Sequence, residues 1–228
     1  MEIKTERIPS GIPGLDELIQ GGFIKGSANL IAGSTGTLKT IFCCQFIWEG
    51  LKRGENCVYI TLEEPAEDII AEALQFGMDF RPYIEEKRLI VEYVFPKTFD
   101  ELDFDIFKRI KEVNASRFVL DSLTLVALCA RGVEPIELRA KVFDFIMRLK
   151  KYGVTSLLVG EIPEESKGLS RFGFEEFVTD SVIVLHYLEY AAGGTPRSLL
   201  IRKMRRTNHG TDIYPIEVTK KGIVVKKE

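Results

Sequence analysis

Short apolar runs alternate with longer amphipathic segments over the first 160 residues of this 228-residue chain. Periodicity predicts helices at 40–51, 67–76, 105–114 and 137–152. Strands are predicted around them at 28–32, 57–62, 89–94, 118–120 and 156–159. This alternation is the pattern of βαβ units, which fold into a largely parallel central sheet flanked by helices.

The pattern changes after residue 180, where apolar runs follow one another without helices between them. Strands are predicted at 181–187, 198–202, 213–218 and 223–225, and such strands pair antiparallel. We found no internal repeat and no flexible linker. The sequence therefore predicts one α/β domain over 1–228, with an opening segment (1–27), a mainly parallel core (28–160) and a C-terminal antiparallel extension (181–228).

The composition is globular, with 45% hydrophobic residues, 29% charged residues and a net charge of −3. Residues 197–228 hold nine Lys or Arg and three Asp or Glu, and a basic tail on an acidic body indicates contact with another subunit or with phosphate. Cys43, Cys44, Cys57 and Cys129 form no CxxC pair and only two histidines are present, which argues against zinc and disulfides. With no apolar run of roughly 20 residues and no signal-peptide segment, we expect a cytoplasmic protein without a membrane anchor.

A candidate phosphate-binding loop lies between the first core strand and the first core helix. It comprises Gly33, Ser34, Thr35, Gly36, Thr37, Leu38, Lys39 and Thr40. In such a loop the backbone N–H groups bind phosphates, the Lys reaches the β and γ phosphates and the Thr hydroxyl binds Mg²⁺. Leu38 stands where the full pattern has glycine, and it puts a side chain where the backbone should approach the phosphates. On this segment alone, a Gly-Thr-rich turn without function is an equal alternative.

Carboxylates follow two of the predicted strands. Asp121 ends the apolar strand at 118–120, as in a Walker B segment, where it can hold Mg²⁺ through water. Glu63 and Glu64 end the second strand, at the edge where parallel sheets place active-site groups, and could activate a water molecule. The alternative is that these two glutamates, followed by Pro65, are helix-start acids favoured by the helix dipole.

The order of these segments resembles the KaiC-like branch of the RecA superfamily of P-loop ATPases over nearly the whole chain. The segments that carry the resemblance are 7–18, 21–27, the Glu63-Glu64 pair, 174–183 and the Lys203-Met204-Arg205 element with His209. The resemblance implies a single-domain member of the archaeal type, whereas KaiC has two such domains in tandem. It also implies a RecA-like fold, with residues 28–160 as the nucleotide-binding core.

The family's properties extend these expectations to partners and roles. The resemblance implies ATP or ADP with Mg²⁺, a ring-like homo-oligomer with a hexamer as the expected size, and nucleotide between subunits. Glu63 and Glu64 match the family's catalytic glutamates. Lys203 and Arg205 would reach the γ-phosphate bound by the neighbouring subunit, as arginine fingers do. The alternative for these two cations is a solvated basic strand.

Three functions stay open at this stage. The first is a regulator or switch that hydrolyses ATP slowly and whose nucleotide state is recognised by a further protein partner. The second, motivated by Leu38, is a nucleotide-gated scaffold with degenerate catalysis. The third is an accessory protein of DNA recombination or repair, against which the acidic loop 161–177 argues, because it would repel a phosphate backbone. Glu176 and Phe177 align with the neighbouring serine and threonine that KaiC, a clock protein, phosphorylates in itself. An autokinase cycle at these two positions is therefore not expected.

Overall fold

A computed structural model describes residues 5–95, 97–126, 133–163, 168–187 and 196–227; Cys129 lies outside these ranges. The strands are β1 (Arg7–Ile8), β2 (Phe23–Ile24), β3 (Ala28–Gly33), β4 (Cys57–Thr61), β5 (Leu89–Tyr93), β6 (Arg117–Asp121), β7 (Thr155–Glu161), β8 (Ser181–Tyr187), β9 (Arg197–Met204), β10 (Ile213–Thr219) and β11 (Gly222–Val225). The helices are α1 (Leu15–Leu18), α2 (Lys39–Lys52), α3 (Ala66–Gln75), α4 (Arg81–Glu85), α5 (Phe99–Val113), α6 (Pro135–Lys151) and α7 (Glu175–Val178), with a 3₁₀ turn at Leu123–Leu125.

Nine of the described strands form one sheet in the order β11-β10-β9-β8-β3-β7-β6-β4-β5. The six strands from β8 to β5 are parallel, and β9, β10 and β11 continue the sheet antiparallel beyond β8. The predicted parallel core with a C-terminal antiparallel extension is therefore confirmed. β3 lies between β7 and β8. Because β3, β4, β6 and β7 run parallel, the loop that leaves β3 lies at the same edge of the sheet as the carboxyl ends of β4, β6 and β7.

Alternation along the central strands divides the core into two layers. Val119 of β6 packs in the layer that contains α2 and α3, whereas Phe118 and Leu120 face the layer of α5 and α6. Strands covered on both faces are mainly apolar in their interiors, as expected for a parallel sheet between helices. Cys43, Cys44 and Cys57 are free thiols inside these layers, and burial raises the pKa of each.

The start of α5 differs from the prediction, because this helix begins at Phe99 and not at residue 105. The Thr98 hydroxyl accepts a hydrogen bond from the Glu101 N–H at 3.2 Å, and the Glu101 carboxylate accepts one from the Lys97 N–H at 3.0 Å. These contacts satisfy backbone donors at the helix start. The acidic residues in the first turns of α5 interrupt the apolar spacing from which the start of the helix was predicted.

The opening segment pairs β1 with β2 and contacts the end of the chain. Arg7 donates to the carbonyls of Ile19 and Gly22 at 3.1 and 3.0 Å and to the Thr207 hydroxyl at 3.0 Å. The Val225 N–H donates to the Pro13 carbonyl at 2.9 Å. Among the helices that the structure describes, none has both the length and the hydropathy of a transmembrane span.

Candidate functional site

A cavity of about 440 Å³ opens at the carboxyl edge of the parallel strands. It is lined by residues 34–41, Glu63, Glu64, Glu72, Asp121, 161–163 and Arg171. The structure thus brings together the predicted loop residues from Ser34 to Thr40, both candidate glutamates and Asp121. Gly33 ends β3 just below the cavity, and Lys203 and Arg205 are not part of its lining.

The phosphate-loop candidate is folded by side chains that bind its own backbone. The Thr37 hydroxyl and the Lys39 ammonium both donate to the Ser34 carbonyl, each at 2.8 Å. Gly33 is required by close packing, because a Cβ there would lie 2.6 Å from the Leu185 carbonyl oxygen. Lys39 starts α2, so the N–H groups of the first helical turn face the cavity, which is the arrangement that binds phosphate.

Leu38 adopts the left-handed backbone conformation, with φ 72° and ψ 30°. Glycine takes this conformation freely, and a residue with a Cβ takes it at a cost of about 1 kcal/mol. The Leu38 side chain is half-buried and packs against the core layer of α2, while part of it still lines the cavity. The loop therefore keeps the backbone shape of the glycine-containing pattern and carries a strained leucine within it.

Asp121 is buried below the loop and accepts two hydrogen bonds at one oxygen. The Tyr59 hydroxyl donates to Oδ2 at 2.7 Å and the Thr40 hydroxyl donates to the same atom at 3.3 Å. Burial raises the Asp121 pKa to about 6, the Glu63 charge adds to the rise, and the hydrogen bonds and Lys39 offset part of it. Tyr59 was not found from the sequence; the available signal was a tyrosine near the end of a buried strand.

The oxygen atoms of Thr40 and Asp121 are the hard ligands that Mg²⁺ prefers, and this ion commonly completes its coordination with substrate phosphates and water. Among the described residues, no group of three or more His, Cys, Asp or Glu side chains could hold a metal ion by itself. The donor set therefore fits a Mg²⁺ ion that arrives with a nucleotide.

Glu63 and Glu64 are placed by a turn at the end of β4. Both backbone N–H groups donate to the Thr61 hydroxyl, at 3.2 and 3.1 Å. They precede Pro65, the N-cap of α3, whose first-turn acids are Glu67 and Asp68. Glu63 and Glu64 thus lie both at the start of α3 and at the cavity wall.

Glu72 is a further carboxylate at the cavity, and burial together with the charges of Glu64 and Asp68 raises its pKa. The sequence held a signal for it, because residues 64, 68 and 72 are spaced by four and α3 places 68 and 72 on one face. Two arginines were not predicted as site residues. Arg171 lies 3.7 Å from the Glu161 carboxylate, and Arg197 donates to the Gly36 carbonyl at 3.0 Å.

Lys203 and Arg205 lie on and just after β9, beside the short helix α7. The Lys203 ammonium donates to the carbonyls of Glu176 and Thr179 at 2.8 and 2.6 Å. Arg205 donates to the Phe177 carbonyl at 3.3 Å and is half-exposed. Burial, with a further contribution from Arg205, lowers the Lys203 pKa. Both cations therefore lie outside the cavity of their own chain.

Fold and site together define a nucleotide-binding domain of the RecA-type ATPase class. The family model described as KaiC ATPase matches residues 8–228, and the chain belongs to this family. It is 35% identical to the circadian clock protein KaiC3 of Synechocystis over 96% of this chain but only 45% of that protein. A UPF0273 protein of Pyrococcus horikoshii is 34% identical over 97% of this chain and 94% of its own length.

A solved structure supports the same assignment. The crystal structure of a KaiC-like protein from Pyrococcus horikoshii superposes with a TM-score of 0.86 at 41% identity, over 97% of this chain and 99% of that one. The chain thus spans less than half of KaiC3 and nearly all of its single-domain relatives. The resemblance inferred from the sequence is confirmed, as is the RecA-like fold.

Proposed function

We propose that this chain is a single ATPase domain that binds ATP with Mg²⁺, hydrolyses it slowly and acts as a nucleotide-dependent switch. One observation carries the proposal: Lys39, Thr40, Asp121, Glu63 and Glu64 meet at one cavity that the α2 N-terminus faces. Membership of the KaiC ATPase family supports nucleotide binding independently.

Each residue then has a distinct chemical role. Lys39 leaves the Ser34 carbonyl for the β and γ phosphates, while the loop N–H groups bind the remaining phosphate oxygens. Thr40 and Asp121 would hold Mg²⁺, which would supply positive charge to the phosphate oxygens. Glu63 or Glu64 accepts a proton from the attacking water molecule.

Hydrolysis is proposed to need a second copy of the chain. Lys203 and Arg205 lie outside their own cavity, which supports a role at the γ-phosphate of a neighbour in a ring-like homo-oligomer, with a hexamer as the proposed size. Such cations stabilise the charge of the transferring phosphoryl group. A protein partner that reads the nucleotide state completes the proposed switch.

The second candidate function is a nucleotide-gated scaffold without effective catalysis. The strained Leu38, with part of its side chain in the cavity wall, is the observation that favours it. The two candidates predict the same ligand and differ in turnover.

Calorimetric titration with ATP and Mg²⁺, followed by an assay for released phosphate, tests the proposal. Lys39→Ala should weaken binding at least about tenfold, because the ammonium contacts the phosphates in the bound state. Lys52→Ala is the matched control, since Lys52 lies at the other end of the same helix, where its exposed side chain pairs with Glu49. The absence of any binding by the unmodified protein at millimolar ATP would overturn the proposal, and binding without phosphate release would establish the scaffold.

A further inference from the structure

Arg171 lines the cavity and lies on the loop that leads into α7. Its guanidinium lies 3.7 Å from the carboxylate of Glu161, the last residue of β7. Glu161 is held in place because its backbone N–H donates to the Thr124 hydroxyl at 2.9 Å. Both side chains of the pair line the same cavity as Lys39.

A buried carboxylate fixes the backbone on both sides of Arg171. Glu175 is only 1% exposed, and it accepts hydrogen bonds from the Ser170 hydroxyl at 2.8 Å and from the N–H groups of Phe172 and Phe174 at 3.3 and 3.1 Å. Burying a carboxylate is costly unless donors compensate it. Here two N–H groups of one loop do so, together with the Ser170 hydroxyl, whose single hydrogen is shared with the Glu176 carboxylate, and these contacts hold the arginine at the cavity.

The partner that Arg171 has in this structure is a weak one. The two side chains are 56% and 38% exposed and the separation is near the limit of an ion pair, so the contact contributes little. A phosphate group offers several oxygens and more negative charge, and guanidinium binds it with two parallel hydrogen bonds. Arg171 would therefore leave its weak ion pair with Glu161 and bind a phosphate group that enters the cavity.

We propose that Arg171 binds the terminal phosphate of the ATP molecule that is bound to its own chain. Glu161 is the partner of Arg171 when this phosphate is absent, and Glu175 is the residue that positions Arg171. The inference rests on the proposed ATP binding and adds a cation that distinguishes ATP from ADP. It differs from the role of Lys203 and Arg205, which act on the nucleotide of a neighbour.

The test is a pair of calorimetric titrations, one with the hydrolysis-resistant imido analogue of ATP and one with ADP, both with Mg²⁺. Arg171→Ala should weaken the analogue about tenfold or more and change ADP affinity less than about twofold, since only the analogue has a third phosphate. Arg171→Lys keeps the charge without the two-pronged geometry and should give a smaller loss. Arg53→Ala, an exposed arginine paired with Glu49, is the matched control and should change neither affinity.

Two further variants separate a direct contact from general charge effects. Glu161→Gln should tighten binding of the analogue several-fold when Arg171 is present, and this gain should shrink in the double variant with Arg171→Ala, because the two residues are coupled. Glu175→Gln should lower the affinity for the analogue relative to the affinity for ADP. A general destabilisation of the fold would weaken both nucleotides alike and leave this ratio unchanged. Ser170→Ala, which removes one of the three donors, serves the same purpose if Glu175→Gln does not fold.

The outcomes distinguish this proposal from the proposed function. If the unmodified protein binds both nucleotides and Arg171→Ala weakens neither, or weakens both equally, the Arg171 assignment is wrong and ATP binding stands. An equal Glu161→Gln gain with and without Arg171 also contradicts it. If the unmodified protein binds neither nucleotide, both proposals fall.

Discussion

The Asp121 carboxylate is buried so deeply that its pKa is raised from 3.8 to about 6. Between these values the folded chain binds more protons than the unfolded chain, so stability from this group falls as the pH rises. The loss is complete above about pH 6, where the ionised form costs about 3 kcal/mol. Asp121 therefore destabilises the nucleotide-free protein at neutral pH, as expected of a group whose proposed role is to bind a cation.

Asp121→Asn should accordingly stabilise the nucleotide-free protein at pH 7.5 by up to about 3 kcal/mol and weaken Mg²⁺-dependent ATP binding. Denaturant unfolding measures the first effect, and the difference from the unmodified protein should vanish near pH 4. Asp79→Asn, in an exposed pair with Arg81, is a suitable control. A less stable Asp121→Asn at pH 7.5 would mean that Tyr59 and Thr40 need the charged acceptor.

Leu38 combines backbone strain with a side chain at the cavity, and two substitutions separate these effects. Leu38→Gly removes both, whereas Leu38→Ala removes the bulk and keeps the strain. If crowding limits binding, both variants should tighten ATP several-fold in a calorimetric titration. Tightening by Leu38→Gly alone would assign the effect to the backbone, and tightening by neither would show that the loop tolerates leucine.

At the scale of elements, Lys203 joins β9 to α7 by donating hydrogen bonds to two backbone carbonyls. The Arg205 side chain is half-exposed, and its contacts with the Phe177 carbonyl and the Asp180 carboxylate are longer, at 3.3 and 3.7 Å. Lys203→Ala leaves the two acceptors without their donor and should lower the free energy of unfolding by about 1–3 kcal/mol. Arg205→Ala should change it by no more than about 0.5 kcal/mol. Thermal or denaturant unfolding checks both, and equal losses would contradict this division of roles.

The elements of the core could be predicted because their signals are local. Strands such as 181–187 coincide with β8, and the loop between β3 and α2 follows from the order of residues along the chain. The early start of α5 was missed because capping by Thr98 outweighs a weak apolar pattern. Tyr59 and Arg171 were missed for another reason: their contacts with Asp121 and Glu161 depend on tertiary packing that one sequence does not encode locally.

At the scale of the whole molecule, the cavity and the cations proposed to act on ATP lie at different places on one chain. The proposed head-to-tail association would bring the cations of one copy to the cavity of the next, and contacts of this kind build rings or filaments. It would also give the basic extension, 181–228, a partner in the acidic body of a neighbour.

Mixing two inactive variants tests the head-to-tail arrangement. Lys39→Ala and Arg205→Ala are each expected to abolish hydrolysis, and mixed assemblies contain interfaces with an intact loop and an intact Arg205. Phosphate release should therefore recover partly in the mixture. Native mass spectrometry establishes that mixed assemblies form, and formation without recovery would argue that Arg205 acts elsewhere.

The most direct measurement is single-turnover ATP hydrolysis beside equilibrium ATP binding, for the unmodified protein and for the double variant Glu63→Gln/Glu64→Gln. Glutamine keeps the shape but takes no proton, so hydrolysis should slow about 10²–10⁴-fold while affinity stays nearly unchanged. The double variant should also trap ATP and favour the assembled form. Equal hydrolysis by both proteins would contradict the assignment of these glutamates as the groups that activate water.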